Sequence, residues 1–99
     1  MSAAHLEPDR FRVAASAVIH PDVSLGKGVS VWDFSQIREG ARIGDDTVIG
    51  RNVYVDHDVR IGSGCKIQNN VLVYWPALIG DGVFLGPGRS SPTTPIPER

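Results

Sequence analysis

Cysteine is nearly absent from this 99-residue sequence, and the single thiol, Cys65, excludes an internal disulfide and fits a reducing cytoplasm. An excess of one charge is also missing. Ten Lys and Arg stand against eleven Asp and Glu, for a net charge of −1. The basic residues are scattered, so no stripe points to nucleic acid or to a membrane surface. No apolar run approaches the ~18 residues that would span a bilayer, and the first residues lack a secretory-signal pattern. The expectation is a soluble, cytoplasmic, single-domain protein with a small core.

Helical periodicity is lacking as well. Every sixth residue from Val13 is Val, Ile or Leu: Val13, Ile19, Leu25, Val31, Ile37, Ile43, Ile49, Val55, Ile61, Ile67, Val73, Ile79 and Leu85. Four residues after each anchor stands a small or β-branched residue, from Ala17 and Val23 through Cys65 to Val83, until Arg89 ends the series. A period of six fits neither 3.6 nor 2.0, and β-branched anchors favour strands. The residue after the anchor is Gly at 26, 44, 50, 62, 80 and 86, as sharp corners or close backbone approach require.

The pattern predicts an all-β solenoid of short strands and tight corners, with three hexads per 18-residue coil and coils stacked ~4.8 Å apart through parallel ladders. About four coils fit residues 13–86. Residues 1–12 read as a leader that covers or frays from the first coil. Residues 87–99, with four of the seven prolines and a serine–threonine cluster, read as a disordered tail.

Residues 19–88 also carry a string of motifs: Ile19-His20-Pro21, Val31-Trp32-Asp33-Phe34, Lys66-Ile67-Gln68-Asn69-Asn70-Val71 with Val73-Tyr74, and Asp81-Gly82-Val83-Phe84 with Gly86-Pro87. The string resembles hexapeptide-repeat acyltransferases, and within them the nucleotide-sugar N-acetyltransferases that acetylate UDP- or dTDP-linked 3-amino sugars. The resemblance implies a left-handed parallel β-helix, assembly as a homotrimer, a nucleotide-sugar substrate, and acetyl-CoA as co-substrate in the groove between neighbouring solenoids, with no metal. Gly86 and Pro87 are its implied acetyl-CoA contacts.

After Gly-Pro the family continues with a segment like Val-Val-Leu-Thr-Asn-Asp-x-Tyr-Pro-Arg, which is not found here. Suitable codons for residues 89–99, read in a shifted frame, spell Val-Val-Thr-Asn-Asp-Thr-Tyr-Pro-Arg-Ala. The expectation is therefore a frameshifted or truncated ending.

Acetyl transfer to an amine asks for orientation of the amine and fixed donors toward the developing oxyanion. Amide side chains supply both, which makes Asn69 and Asn70 catalytic candidates and Gln68 a substrate-binding one. The alternative is that Asn70 occupies a left-handed corner and the amides satisfy local backbone. His57, within Asp56-His57-Asp58, is the candidate general base, its carboxylate neighbour orienting the ring; the alternative is a solvated corner histidine. Tyr74 and Trp75 are candidate substrate contacts, although the family often carries an acidic residue or His where Trp75 stands. Trp32 reads as a trimer-packing aromatic. Cys65 reads as buried and inert.

Two other functions compete. One is a catalytically inactive solenoid serving as a structural or interaction module. The other is a zinc carbonic anhydrase of similar fold, which needs a three-histidine cluster that His5, His20 and His57 do not form. Ice binding would need outward threonine rows, and there are none.

Overall fold

The computed structural model describes residues 11–86 and the strand Ser90–Ser91. The expected leader up to residue 10 and the rest of the expected tail, Pro87 included, lie outside the described residues, as does most of the segment read as frameshifted.

Strands of two residues recur every six. They are β1 (Arg12–Val13), β2 (Val18–Ile19), β3 (Ser24–Leu25), β4 (Ser30–Val31), β5 (Gln36–Ile37), β6 (Arg42–Ile43) and β7 (Val48–Ile49). They continue as β8 (Tyr54–Val55), β9 (Arg60–Ile61), β10 (Lys66–Ile67), β11 (Leu72–Val73), β12 (Leu78–Ile79), β13 (Phe84–Leu85) and β14 (Ser90–Ser91). Each periodic anchor is the second residue of its strand, from Val13 in β1 to Leu85 in β13.

The strands form three parallel sheets, in the orders β1-β4-β7-β10-β13, β2-β5-β8-β11-β14 and β3-β6-β9-β12. Register is held at 18 residues throughout: Val31 pairs with Ile49, Ile37 with Val55, and Ile43 with Ile61. The chain is thus a left-handed parallel β-helix of about four coils. The ladder runs on past Gly86, where Ser90 pairs with Leu72 inside the stretch whose composition suggested disorder. Among the described residues no helix is long and apolar enough to cross a membrane.

The anchors stack inside the prism. Ile37, Ile49, Ile67, Val55 and Val73 are fully buried, and the small corner residues Val29, Ala41, Val53, Val59, Val71 and Ala77 fill the space between them. Burying each aliphatic anchor contributes roughly 1.5–3 kcal/mol, which offsets much of the ordering cost of so much corner backbone.

Three polar side chains share that interior and are satisfied there. The Ser35 hydroxyl donates to the Gly50 carbonyl (2.6 Å), Thr47 donates to the Gly62 carbonyl (2.7 Å), and the Cys65 thiol donates to the Gly80 carbonyl (3.0 Å). Cys65 is buried as its hexad position requires.

Corners are as tightly stacked as strands. A Cβ on Gly44 would lie 2.6 Å from the Gly62 carbonyl carbon and 2.7 Å from the Ser63 nitrogen, so only glycine fits between these rungs.

Candidate functional site

The triangular section has three corners, and the candidate residues are divided between two of them. The first corner joins the sheet of β4, β7 and β10 to the sheet of β5, β8 and β11, and comprises residues 32–35, 50–53 and 68–71 on successive rungs. The second comprises residues 38–41, 56–59 and 74–77.

At the first corner Phe34, Asn52 and Asn70 occupy equivalent positions, all left-handed, with φ of 62°, 56° and 66°. Asn tolerates this region because its short polar side chain can bond locally. The Asn52 amide nitrogen donates to the Asn70 side-chain oxygen (2.8 Å). Beside it, the Asn69 side-chain oxygen accepts the Arg51 backbone N–H of the previous rung (2.9 Å).

Both amide carbonyls are therefore engaged in stitching one rung to the next. Their NH2 groups meet no acceptor among the described residues. Asn69 and Asn70, with Phe34, Arg51 and Asn52, line an open cleft of about 390 Å³. Gln68 is half-buried in the same corner, its backbone N–H donated to the Leu85 carbonyl (2.9 Å). Gly86 continues the Gln68 position on the next rung, while Pro87 lies outside the described residues.

The second corner is a charged and aromatic network. Asp56 sits at its centre, with a side chain 17% exposed. One carboxylate oxygen accepts the Trp75 backbone N–H from the next rung (3.1 Å). The other accepts the His57 N–H (2.8 Å) and the Tyr54 hydroxyl (3.2 Å), with the Arg38 guanidinium 3.7 Å away. Burial works against the Asp56 charge, yet the N–H groups of Trp75 and His57 and the Tyr54 hydroxyl hold the carboxyl below its usual range.

Arg38 donates to both Glu39 oxygens and to the Tyr54 hydroxyl. The Glu39 hydrogen bonds, then Tyr54, raise the Arg38 pKa, and Arg38 in turn lowers that of Glu39.

His57 caps the network. Its Nδ1 lies 3.2 Å from Asp58 Oδ2, and its ring stacks on Trp75 with centroids 5.5 Å apart and planes 19° apart. Tyr74 packs against Tyr54 at 6.1 Å. Trp75 is half exposed, presenting an aromatic face at this edge.

Gln68, Asn69, Asn70 and Gly86 thus gather at one corner, and His57, Tyr74 and Trp75 at another. One six-residue side separates the two groups, a distance on the order of 15–20 Å. Sequence reasoning treated them as one set and did not single out Phe34, Arg51 or Asn52, nor Arg38 and Tyr54. The 18-residue coil holds the missing signal, since positions 34, 52 and 70 differ by 18. Among the described residues no three His, Cys, Asp or Glu side chains come together as metal ligands.

Residues 40–74 match the bacterial transferase hexapeptide (six repeats) family. The chain is 34% identical over 85 residues to the bifunctional protein GlmU of Pelotomaculum thermopropionicum, covering 79% of this chain and 18% of that protein. It is 33% identical over 58 residues to the acyl-[acyl-carrier-protein]–UDP-N-acetylglucosamine O-acyltransferase of Brucella ovis, covering 59% of this chain and 21% of the other. The chain therefore spans about a fifth of the length of these curated relatives. Among solved structures it is similar to a perosamine N-acetyltransferase variant from Caulobacter crescentus in complex with CoA and GDP-perosamine. That likeness has a TM-score of 0.41 and 20% identity, over 90% of this chain and 55% of that one.

Proposed function

We propose that this chain, a β-helix carrying the bacterial transferase hexapeptide repeat over residues 40–74, is an acyltransferase that moves an acetyl group from acetyl-CoA to the amine of a nucleotide-linked amino sugar. The observation that carries the reading is the open first corner, where Asn69 and Asn70 line a cleft large enough for part of a substrate. The Gln68-Asn69-Asn70 string and the acyltransferase names of the relatives support it.

In the reaction the sugar nitrogen attacks the thioester carbonyl. A C–N bond forms, the C–S bond breaks, the nitrogen loses a proton, and the departing CoA sulfur takes one up. Asn69 and Asn70 are the donors toward the tetrahedral oxyanion, and Gln68 orients the sugar. Gly86 and Pro87 contact the acetyl-CoA chain. His57 receives the proton, with Asp58 beside Nδ1 orienting the ring. Tyr74 and Trp75 offer flat faces to the sugar.

The two corners meet only if a second copy brings its own, so the reading includes a homotrimer whose sites lie between subunits. The lone buried thiol suits a cytoplasmic setting. A second reading, a solenoid that only supports or binds partners, draws on the use of the Asn69 and Asn70 carbonyls in stitching rungs. Calorimetric titration of acetyl-CoA into the purified chain, with solution mass measured in parallel, separates the two. Saturable binding by a trimer is the expected result; no binding by a monomer overturns the transferase reading.

A further inference from the structure

One residue at the first corner departs from the chemistry of its column. The left-handed position is Asn on two rungs, Asn52 and Asn70, and Phe on the rung before them, with φ of 62° at Phe34. A bulky ring in this region is strained, because its Cβ crowds the backbone. Packing does not offset the strain, for Phe34 is 63% exposed. Its backbone N–H is held by the Ser16 hydroxyl of the preceding rung (3.0 Å), which fixes the corner and leaves the ring projecting.

Next along the same corner stands Arg51. Among the described residues it forms no ion pair, and Asp33, one rung earlier in the same column, is not within ion-pair distance of it. Phe34, Arg51, Asn52, Asn69 and Asn70 line a single cleft. It offers in order a flat apolar ring, a fixed positive charge and a row of amides. A rung spacing of ~4.8 Å sets ring, guanidinium and amides about as far apart as the base, phosphates and sugar of an extended nucleotide.

The geometry points to this cleft as the seat of a nucleoside diphosphate, with the base stacked on Phe34 and the phosphates on Arg51. The inference rests on the acetyltransferase reading for the identity of the ligand and extends it by two residues which that reading does not use. Aromatic stacking accepts any base, and a guanidinium pairs bidentately with phosphate oxygens. Two molecules in the proposed reaction carry a nucleoside diphosphate, the sugar nucleotide and coenzyme A, and the cleft is suited to the group they share.

The test is calorimetric titration of UDP, dTDP, uridine and coenzyme A into the full chain and into Phe34→Asn and Arg51→Gln. Phe34→Asn places at this rung the residue its column carries twice, so its Tm should equal or exceed that of the parent and folding does not confound the result. The expected outcome is binding of UDP and dTDP, or of coenzyme A, weakened about tenfold or more by Phe34→Asn and by a similar factor by Arg51→Gln. Uridine should bind more weakly than UDP and be indifferent to Arg51→Gln.

Preference for the pyrimidine diphosphates assigns the cleft to the nucleotide-sugar acceptor, and preference for coenzyme A assigns it to the acyl donor; either supports the inference. No binding of any diphosphate overturns it, as does binding unchanged in both variants. A Phe34→Asn chain whose mass changes while its affinity does not would make Phe34 a subunit-contact residue and also overturn the inference. Diphosphate binding without acetyl transfer would refute the transferase reading alone, and transfer unaffected by either substitution would refute this inference alone.

Discussion

Asp56 accepts the backbone N–H of Trp75 from the next rung at 3.1 Å, so one carboxylate ties together the two coils that carry the aromatic edge. Its folded-state pKa is depressed despite partial burial. A depressed carboxyl stabilises the fold at pH values above its unfolded pKa of about 3.9, and that contribution is lost as pH falls through the lower folded value. Wild type should therefore exceed Asp56→Asn in Tm at pH 7, and the gap should close as pH is lowered below about 4. Thermal unfolding at pH 7, 4 and 2.5 checks this; a gap constant across the series would contradict it.

Thr47 is buried, donates to the Gly62 carbonyl, and accepts the Cys65 N–H at 3.1 Å. Thr47→Val keeps the shape but removes both bonds, leaving the buried Cys65 N–H and the part-buried Gly62 carbonyl without their partner. The expected cost is about 1–3 kcal/mol, read from denaturant unfolding. A change within experimental error would mean that these backbone groups find other partners.

Close stacking at the corners predicts a position-dependent cost for one added methyl. Gly44→Ala drives a Cβ into Gly62 and Ser63 backbone, which cannot rotate aside. The expected loss is about 2 kcal/mol or more. Gly80→Ala, at the same corner position, meets no atom within 4 Å among the described residues and should be nearly neutral. Equal Tm shifts for the two variants would contradict the close-packed corner.

Division of the candidate groups between two corners predicts complementation. Asn70→Ala and His57→Ala chains should each lose acetyl transfer, and mixed assemblies made by co-expression should recover part of it, because some interfaces pair an intact amide corner with an intact histidine corner. Recovery absent from mixed assemblies of wild-type mass would place the chemistry on one corner alone.

Much of this architecture is legible from spacing. The anchors from Val13 to Leu85 are the inward residues of successive strands, and counting by 18 assigns each to its column. The same count places Asn52 beneath Asn70 and Arg51 beneath Asn69, so the first corner could be assembled from sequence. Handedness cannot be read from the period, because left- and right-handed coils of six-residue sides bury the same anchors. Nor can the stack of His57 on Trp75, or the choice of Asn69 to bond the Arg51 N–H, since rotamers depend on which side chain the neighbouring rung presents. The separation of His57 from Asn70 was legible, and is a matter of corner rather than of distance along the chain. The pairing of Ser90 and Ser91 with Leu72 and Val73 has no counterpart in the apolar pattern, because backbone pairing needs no apolar side chain.

The most direct test of the central claim is release of the free CoA thiol from acetyl-CoA in the presence of UDP- and dTDP-linked 3-amino sugars, followed for wild type and Asn70→Ala. The account predicts thiol release dependent on at least one sugar and reduced about a hundredfold by Asn70→Ala. Release that is absent with every sugar, or equal in the two proteins, would contradict it.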